Sequence, residues 1–384
     1  MERADGVVPR PAALYIGGEA EFATKQELRL PAPRIYLDHA ATTPLRPKAR
    51  EAIAQALGAW ANPSSPYAEG RAVRSAMEDA RRRIARAFGW DGTIVFTSGA
   101  TEAVELVMRR ARAGPRFASA TEHPAVLRCT PETNLIRVGP DGRLDLAGLD
   151  RILVASERPL VAVQSVNNET GVLQPVAEIA DRVAAADGLL LVDCAQSAGK
   201  LPLPDADFVV IAAHKLGGPP GVGALLVRDP ATLEAVGGQE GGYRPGTPAV
   251  PSIIGFAAAV EADHGWYSGA ERLRARLEAA VESAGGEAVA QAAPRIATIG
   301  SYRLPGVPAA VQMMHLDLSG IAVSAGSACS SGSLKTSHVL TAMGWSEDAA
   351  REAIRVSFGW STKEAEVEAF IAEYRRLAER RRAA

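Results

Sequence analysis

Between Thr93 and Val227, short β-branched apolar runs alternate with helical stretches, and this alternation restricts the possible folds more than any other feature of the chain. The runs are Thr93-Ile-Val-Phe96, one near Phe117, Leu160-Val-Ala-Val-Gln-Ser-Val166, Leu189-Leu-Leu-Val-Asp-Cys-Ala-Gln196, Phe208-Val-Val-Ile-Ala-Ala-His-Lys-Leu-Gly-Gly218 and Gly223-Ala-Leu-Leu-Val227. Runs apolar on both faces predict an α/β architecture, a mostly parallel sheet with helices covering both sides. Helices are expected over Pro47–Trp60 and Arg71–Phe88, from Thr101, and over Val176–Ala186. In the second, Val73, Met77, Ile84 and Phe88 share a face, and its arginines read as a solvated face. A helix-rich stretch from Ser252 to Gly285 leads into a smaller α+β domain ending in a helix from Thr362 to Arg382. The expected division is an N-terminal extension (1–34), a large domain (48–261) and a small one (35–47 with 262–384).

A chain of 384 residues is long enough for two domains. Its 42 basic and 44 acidic residues leave a net charge of -2, so no global field points to nucleic acid. No apolar run reaches membrane-spanning length, and the N-terminus lacks the basic-then-apolar order of a signal peptide. Cys129, Cys194 and Cys329 make neither a disulfide framework nor a metal-ligand spacing. A cytoplasmic protein without a metal, a membrane contact or direct nucleic-acid binding is expected.

Polar residues gather at the predicted carboxyl ends of the strands: His123, Asn168, Asp193, Gln196, His214 and Lys215. Open α/β sheets bind ligands at that edge. A lysine closing a buried strand suits a Schiff-base amine, because desolvation removes its charge. An Asp at the end of the neighbouring strand suits the partner of a pyridinium nitrogen, so the pair points to pyridoxal 5′-phosphate. Thr97-Ser-Gly-Ala-Thr-Glu102 joins a strand to a helix and forms a phosphate cradle of backbone amides. Each of these alone has an ordinary structural explanation; their convergence does not.

In its motifs the chain resembles the pyridoxal-phosphate-dependent cysteine desulfurases of the class V aminotransferase group, NifS/IscS-like enzymes of fold type I. The resemblance rests on Tyr36-Leu-Asp-His-Ala-Ala-Thr-Thr-Pro44, Asn62-Pro-Ser-Ser65, Ser98-Gly-Ala-Thr-Glu102, Thr121-Glu-His123, Asn167-Asn-Glu-Thr-Gly171, Asp193-Cys-Ala-Gln196, His214-Lys215, Arg244-Pro-Gly-Thr247, Ser324-Ala-Gly-Ser-Ala-Cys-Ser330 and Ile354-Arg-Val-Ser-Phe-Gly359. These run in the family's order over about nine-tenths of the chain. The resemblance implies that Lys215 holds the cofactor and moves protons, that Asp193 keeps the ring nitrogen protonated, and that His123 stacks on the ring and serves as an acid/base. It places Gln196 and Asn168 at the phenolic oxygen, and Ala100, Thr101 and His214 at the phosphate. Thr247 would join them from the second subunit of a homodimer. Arg355 would grip the substrate carboxylate, with Asn62 and Asn168 beside the substrate. Cys329, in a small-polar loop of the small domain, would take sulfur from L-cysteine as a persulfide, leave L-alanine, and hand the sulfur to an acceptor such as an iron–sulfur scaffold. Iron–sulfur cluster assembly or tRNA thiolation would then be the destination.

Some positions depart from the family pattern. Ala212 replaces a serine, removing a phosphate hydroxyl that contributes ~1 kcal/mol. Pro245 and Tyr67 also stand where relatives carry other residues. Two other readings remain open on sequence alone: another class V reaction such as selenocysteine lysis or transamination, and a weakly catalytic scaffold of a sulfur system.

Overall fold

The structure, a computed structural model, describes residues 34–58, 61–325 and 336–383. Cys329 and nearly all of the N-terminal extension lie outside the described residues. Among the described residues seven strands form one sheet: β1 (Thr93–Thr97), β2 (Arg116–Ser119), β3 (Leu135–Ile136), β4 (Leu160–Gln164), β5 (Leu189–Asp193), β6 (Phe208–Ala212) and β7 (Gly223–Val227). Their order is β1-β7-β6-β5-β4-β2-β3. From β6 to β3 neighbouring strands are parallel, whereas β7 runs antiparallel to both β6 and β1.

Both faces of this sheet are dry. Ile94, Phe96, Val161, Val163, Val192, Val209 and Ile211 pack with helices Pro47–Ala56, Ala68–Phe88, Val176–Ala185 and Val250–Val260. Val95, Ala162, Leu191, Val210 and Leu225 point the other way, into helix Ala100–Arg110. Alternation along each strand sends successive side chains to opposite faces, so a strand buried on both sides must be apolar throughout.

Helix Ala68–Phe88 ends at Gly89, which takes the left-handed conformation (φ 63°) that stops helices. Not all of its arginines are solvated. Arg81 lies over the Phe96 ring at 4.5 Å and pairs at 2.8 Å with Glu240, whose side chain is 1% exposed. That carboxylate also accepts the Phe96 N–H, so Arg81 neutralises a buried acid rather than facing water.

A second, antiparallel sheet follows, in the order Ser324–Ala325, Ala353–Ser357, Ile299–Arg303, Glu287–Ala288. It packs with helices Ala270–Ser283 and Glu364–Ala383 through Leu277, Val281, Tyr302, Ile354, Phe370 and Tyr374. The short strand Ile35–Tyr36 pairs in parallel with Ile321–Ala322. No helix among the described residues is long and apolar enough to cross a membrane.

Candidate active site

A cavity of about 830 Å³ opens where β4, β5 and β6 end. Ala100, Thr101, His123, Asn168, Asp193, Gln196, His214, Lys215 and Arg355 all line it. Two other candidates do not: Asn62 is exposed and accepts the Ser64 N–H, and Thr247 is exposed on a segment outside the cavity.

Lys215 ends the one-turn helix Ala213–Lys215 that follows β6, and burial pushes its amine down to about 8, against the opposing pull of Asp193. Burial, helped by the neighbouring Lys215, pushes His214 down to about 4; its Nδ1 lies 3.1 Å from Thr42 Oγ1. Asp193 closes β5 and accepts the Ala195 N–H at 2.8 Å, which aims its carboxylate past the strand end. Gln196 donates to the Ala40 carbonyl, while its own Oε1 is buried without a partner among the described residues. Cys194 is fully buried, and burial lifts its thiol to about 12, so it is no nucleophile.

Gly99, in the turn before helix Ala100–Arg110, and Gly223, which opens β7, lie close together. A side chain at Gly223 would stand 2.8 Å from Gly99 Cα. The first intrahelical bond is Ala103 N–H to Gly99 O, so the earlier amides have no helical acceptor, and Ala100, Thr101 and Glu102 line the cavity. Glu102 reaches back to the Ser98 N–H and also accepts from Arg244 Nε at 3.0 Å. These bonds hold its carboxyl below the ordinary range.

His123 caps the short helix Pro124–Leu127: its Nδ1 accepts the Ala125 N–H at 3.2 Å. Arg355, on the second sheet, donates to the Asn168 carbonyl (2.9 Å) and pairs with Asp38 (2.7 Å). Its Nε is buried and has no hydrogen-bond partner among the described residues. Burial keeps the Asp38 carboxyl above its ordinary value even beside that guanidinium.

Several lining residues escaped the sequence reading: Glu102, Gln164, Glu169, Ser324, Thr336 and His338. Glu102, Gln164, Glu169 and Ser324 sat inside the motifs and apolar runs given above, which was the available signal; Thr336 and His338 had none. Among the described residues no group of three or more His, Cys, Asp or Glu is placed to hold a metal ion.

The model of the class-V aminotransferase family matches residues 35–370. The chain belongs to the class-V aminotransferase family. It is 37% identical to a cysteine desulfurase IscS of Anaeromyxobacter sp. (strain Fw109-5), covering 87% of this chain and 90% of that one. It is 35% identical to a cysteine desulfurase of Cereibacter sphaeroides, over 88% and 94%. An X-ray structure of a NifS-like protein from Rickettsia africae ESF-5 superposes with a TM-score of 0.83 at 31% identity, covering 90% of this chain and all of that one. The expected fold and family both hold, and the family is one of pyridoxal-phosphate enzymes.

Proposed function

We propose that this protein is a pyridoxal-phosphate-dependent cysteine desulfurase, taking L-cysteine to L-alanine and passing the sulfur to Cys329 as a persulfide. The observation that carries the reading is the convergence of Lys215, Asp193, His123 and Arg355 on one cavity, in a family whose similar members include cysteine desulfurases.

The residues present fit the cofactor. A helix N-terminus whose first amides lack an intrahelical acceptor suits a phosphate, and Lys215 supplies an amine that burial lowers to about 8, so about half of it is uncharged near that pH. Gln196 Oε1 and Arg355 Nε are buried polar atoms lacking partners among the described residues, one an acceptor and one a charged donor. Ala100, Thr101 and His214 would hold the phosphate, Asp193 the ring nitrogen, and Gln196 with Asn168 the phenolic oxygen. When bound, pyridoxal phosphate supplies an electron sink that stabilises negative charge at the substrate α-carbon. Lys215 carries the proton at that carbon. Arg355 orients the substrate by its carboxylate through the unused Nε, and His123 presents its protonated Nε2 to the cavity.

The large domain (48–261) would then carry the cofactor, and the small one (35–47 with 262–384) Cys329. A cytoplasmic homodimer with Thr247 reaching the partner's cofactor completes the reading. An acceptor protein such as an iron–sulfur scaffold would receive the sulfur.

The test is alanine formation from L-cysteine with reductant and pyridoxal phosphate supplied, comparing the native protein with Cys329→Ala. Alanine from the native protein and little from the variant is expected. Equal alanine from both removes Cys329 as the acceptor and favours another class V reaction. No alanine from either overturns the reading.

A further inference from the structure

Three histidines line the cavity, and their hydrogen bonds leave them unequal as bases. A neutral imidazole carries one proton and one lone pair, and the partner of each nitrogen decides which is where. At His123 the Ala125 N–H points at Nδ1, so the lone pair is there and is already engaged. The nitrogen left for a ligand, Nε2, bears the proton. A second proton would have to displace the Ala125 bond, and burial together with Lys215 also disfavours the cation. His123 is therefore a donor. His214 is held down to about 4 and is a poor base.

His338 is wired the opposite way. Its Nε2 lies 3.0 Å from the Glu122 carbonyl oxygen, which can only accept. Nε2 therefore carries the proton, and Nδ1 keeps a lone pair that meets no donor among the described residues. The ring is well fixed. Ser337, just before it, accepts the Leu340 N–H and donates to Glu169, while Thr336 accepts from Arg351 Nε. Glu169 and His123 are the titratable groups that face it, and Arg355 lies beyond Glu169. Burial raises the Glu169 carboxyl above its ordinary range, while its bond from Ser337 and the nearby His338 and Arg355 oppose that rise.

We infer that His338 is the base for sulfur in this cavity, taking the thiol proton of the bound cysteine at Nδ1, whereas His123 only donates and stacks. The inference rests on the desulfurase reading. In the step the S–H bond breaks and an N–H bond forms. The sulfur keeps the electron pair as a thiolate, the ring becomes imidazolium, and nothing is oxidised or reduced. The proton returns to sulfur when the sulfur leaves, so His338 ends the cycle neutral.

The test uses the cofactor-loaded protein and His338→Gln, whose amide can still donate to the Glu122 carbonyl but supplies no base. Alanine formation from L-cysteine should fall about a hundredfold in kcat. Exchange of the α-proton of L-alanine in D2O, which needs cofactor and Lys215 but no thiol, should stay at the native rate. Independently, nitrogen-15 spectra of the native protein should show His338 with its proton on Nε2. Native-like turnover of L-cysteine by the variant, equal losses in both reactions, or a proton on Nδ1 of His338 would each overturn the inference. Absence of alanine formation by the native protein would instead overturn the desulfurase reading, and this inference with it.

Discussion

The amine of Lys215 is the group whose chemistry depends most directly on its surroundings. Burial lowers it from 10.5 to about 8, while Asp193 pulls it upward. Above about 8 the amine is mostly neutral and nucleophilic; below, each pH unit costs about a factor of ten in neutral form. Cofactor-free protein should therefore capture pyridoxal phosphate at a rate that climbs with pH and levels off near 8, followed by absorbance. Asp193→Asn removes the upward pull, so the levelling should move to lower pH; a shift to higher pH would contradict this account. Ala212 lines the same cavity without a hydroxyl. Ala212→Ser should tighten cofactor binding about fivefold, as one ordinary hydrogen bond of ~1 kcal/mol would, in equilibrium titration. These residues were legible in the sequence because each closes an apolar run. Glu169 and His338 were harder to find, because a polar residue in a turn looks the same whether or not its tertiary neighbours form a cavity.

The helix Ala100–Arg110 shows how an element prepares a site. Glu102, in its first turn, satisfies the Ser98 amide and ties the cradle to Arg244. Its carboxyl is held below the ordinary 4.5, so its contribution is present above that value and is lost as the pH falls through the depressed one. Glu102→Gln should cost about 1 kcal/mol in urea unfolding at pH 7, and the gap to the native protein should close in acid. A gap independent of pH would mean that the charge plays no part. At this scale the strands of the large sheet were legible, but the reversal of β7 was not. Gly223-Ala-Leu-Leu-Val227 is apolar on both faces like its parallel neighbours, and side-chain pattern carries no direction. The second sheet was weakly signalled too. Its strand Ile299–Arg303 contains Gly300, normally a weakening residue. A Cβ there would stand 2.2 Å from the Tyr302 hydroxyl, so only glycine lets that buried ring lie against the backbone.

Over the whole molecule, the position that makes least sense within one copy is Thr247. It is exposed, outside the cavity, on a segment anchored through Arg244 to Glu102 and through the buried Glu240 to Arg81. Two buried or half-buried ion pairs thus fix a strap whose tip, among the described residues, lies outside the cavity of its own chain. Sequence motifs placed Thr247 in the family's order but said nothing of which copy it serves, because chain order carries no symmetry. In the proposed homodimer the strap reaches across, and every site is built from two chains. Lys215→Ala would then disable its own site, and Thr247→Arg, a bulky change at an exposed position, would block its partner's. A mixed dimer of the two variants has one site with both defects and one with neither. Random pairing makes half the dimers mixed, so co-expression of two inactive variants should restore about a quarter of native alanine formation. Recovery of nothing would place Thr247 in the site of its own chain, and a Thr247→Arg protein as active as the native one would remove it from the site altogether.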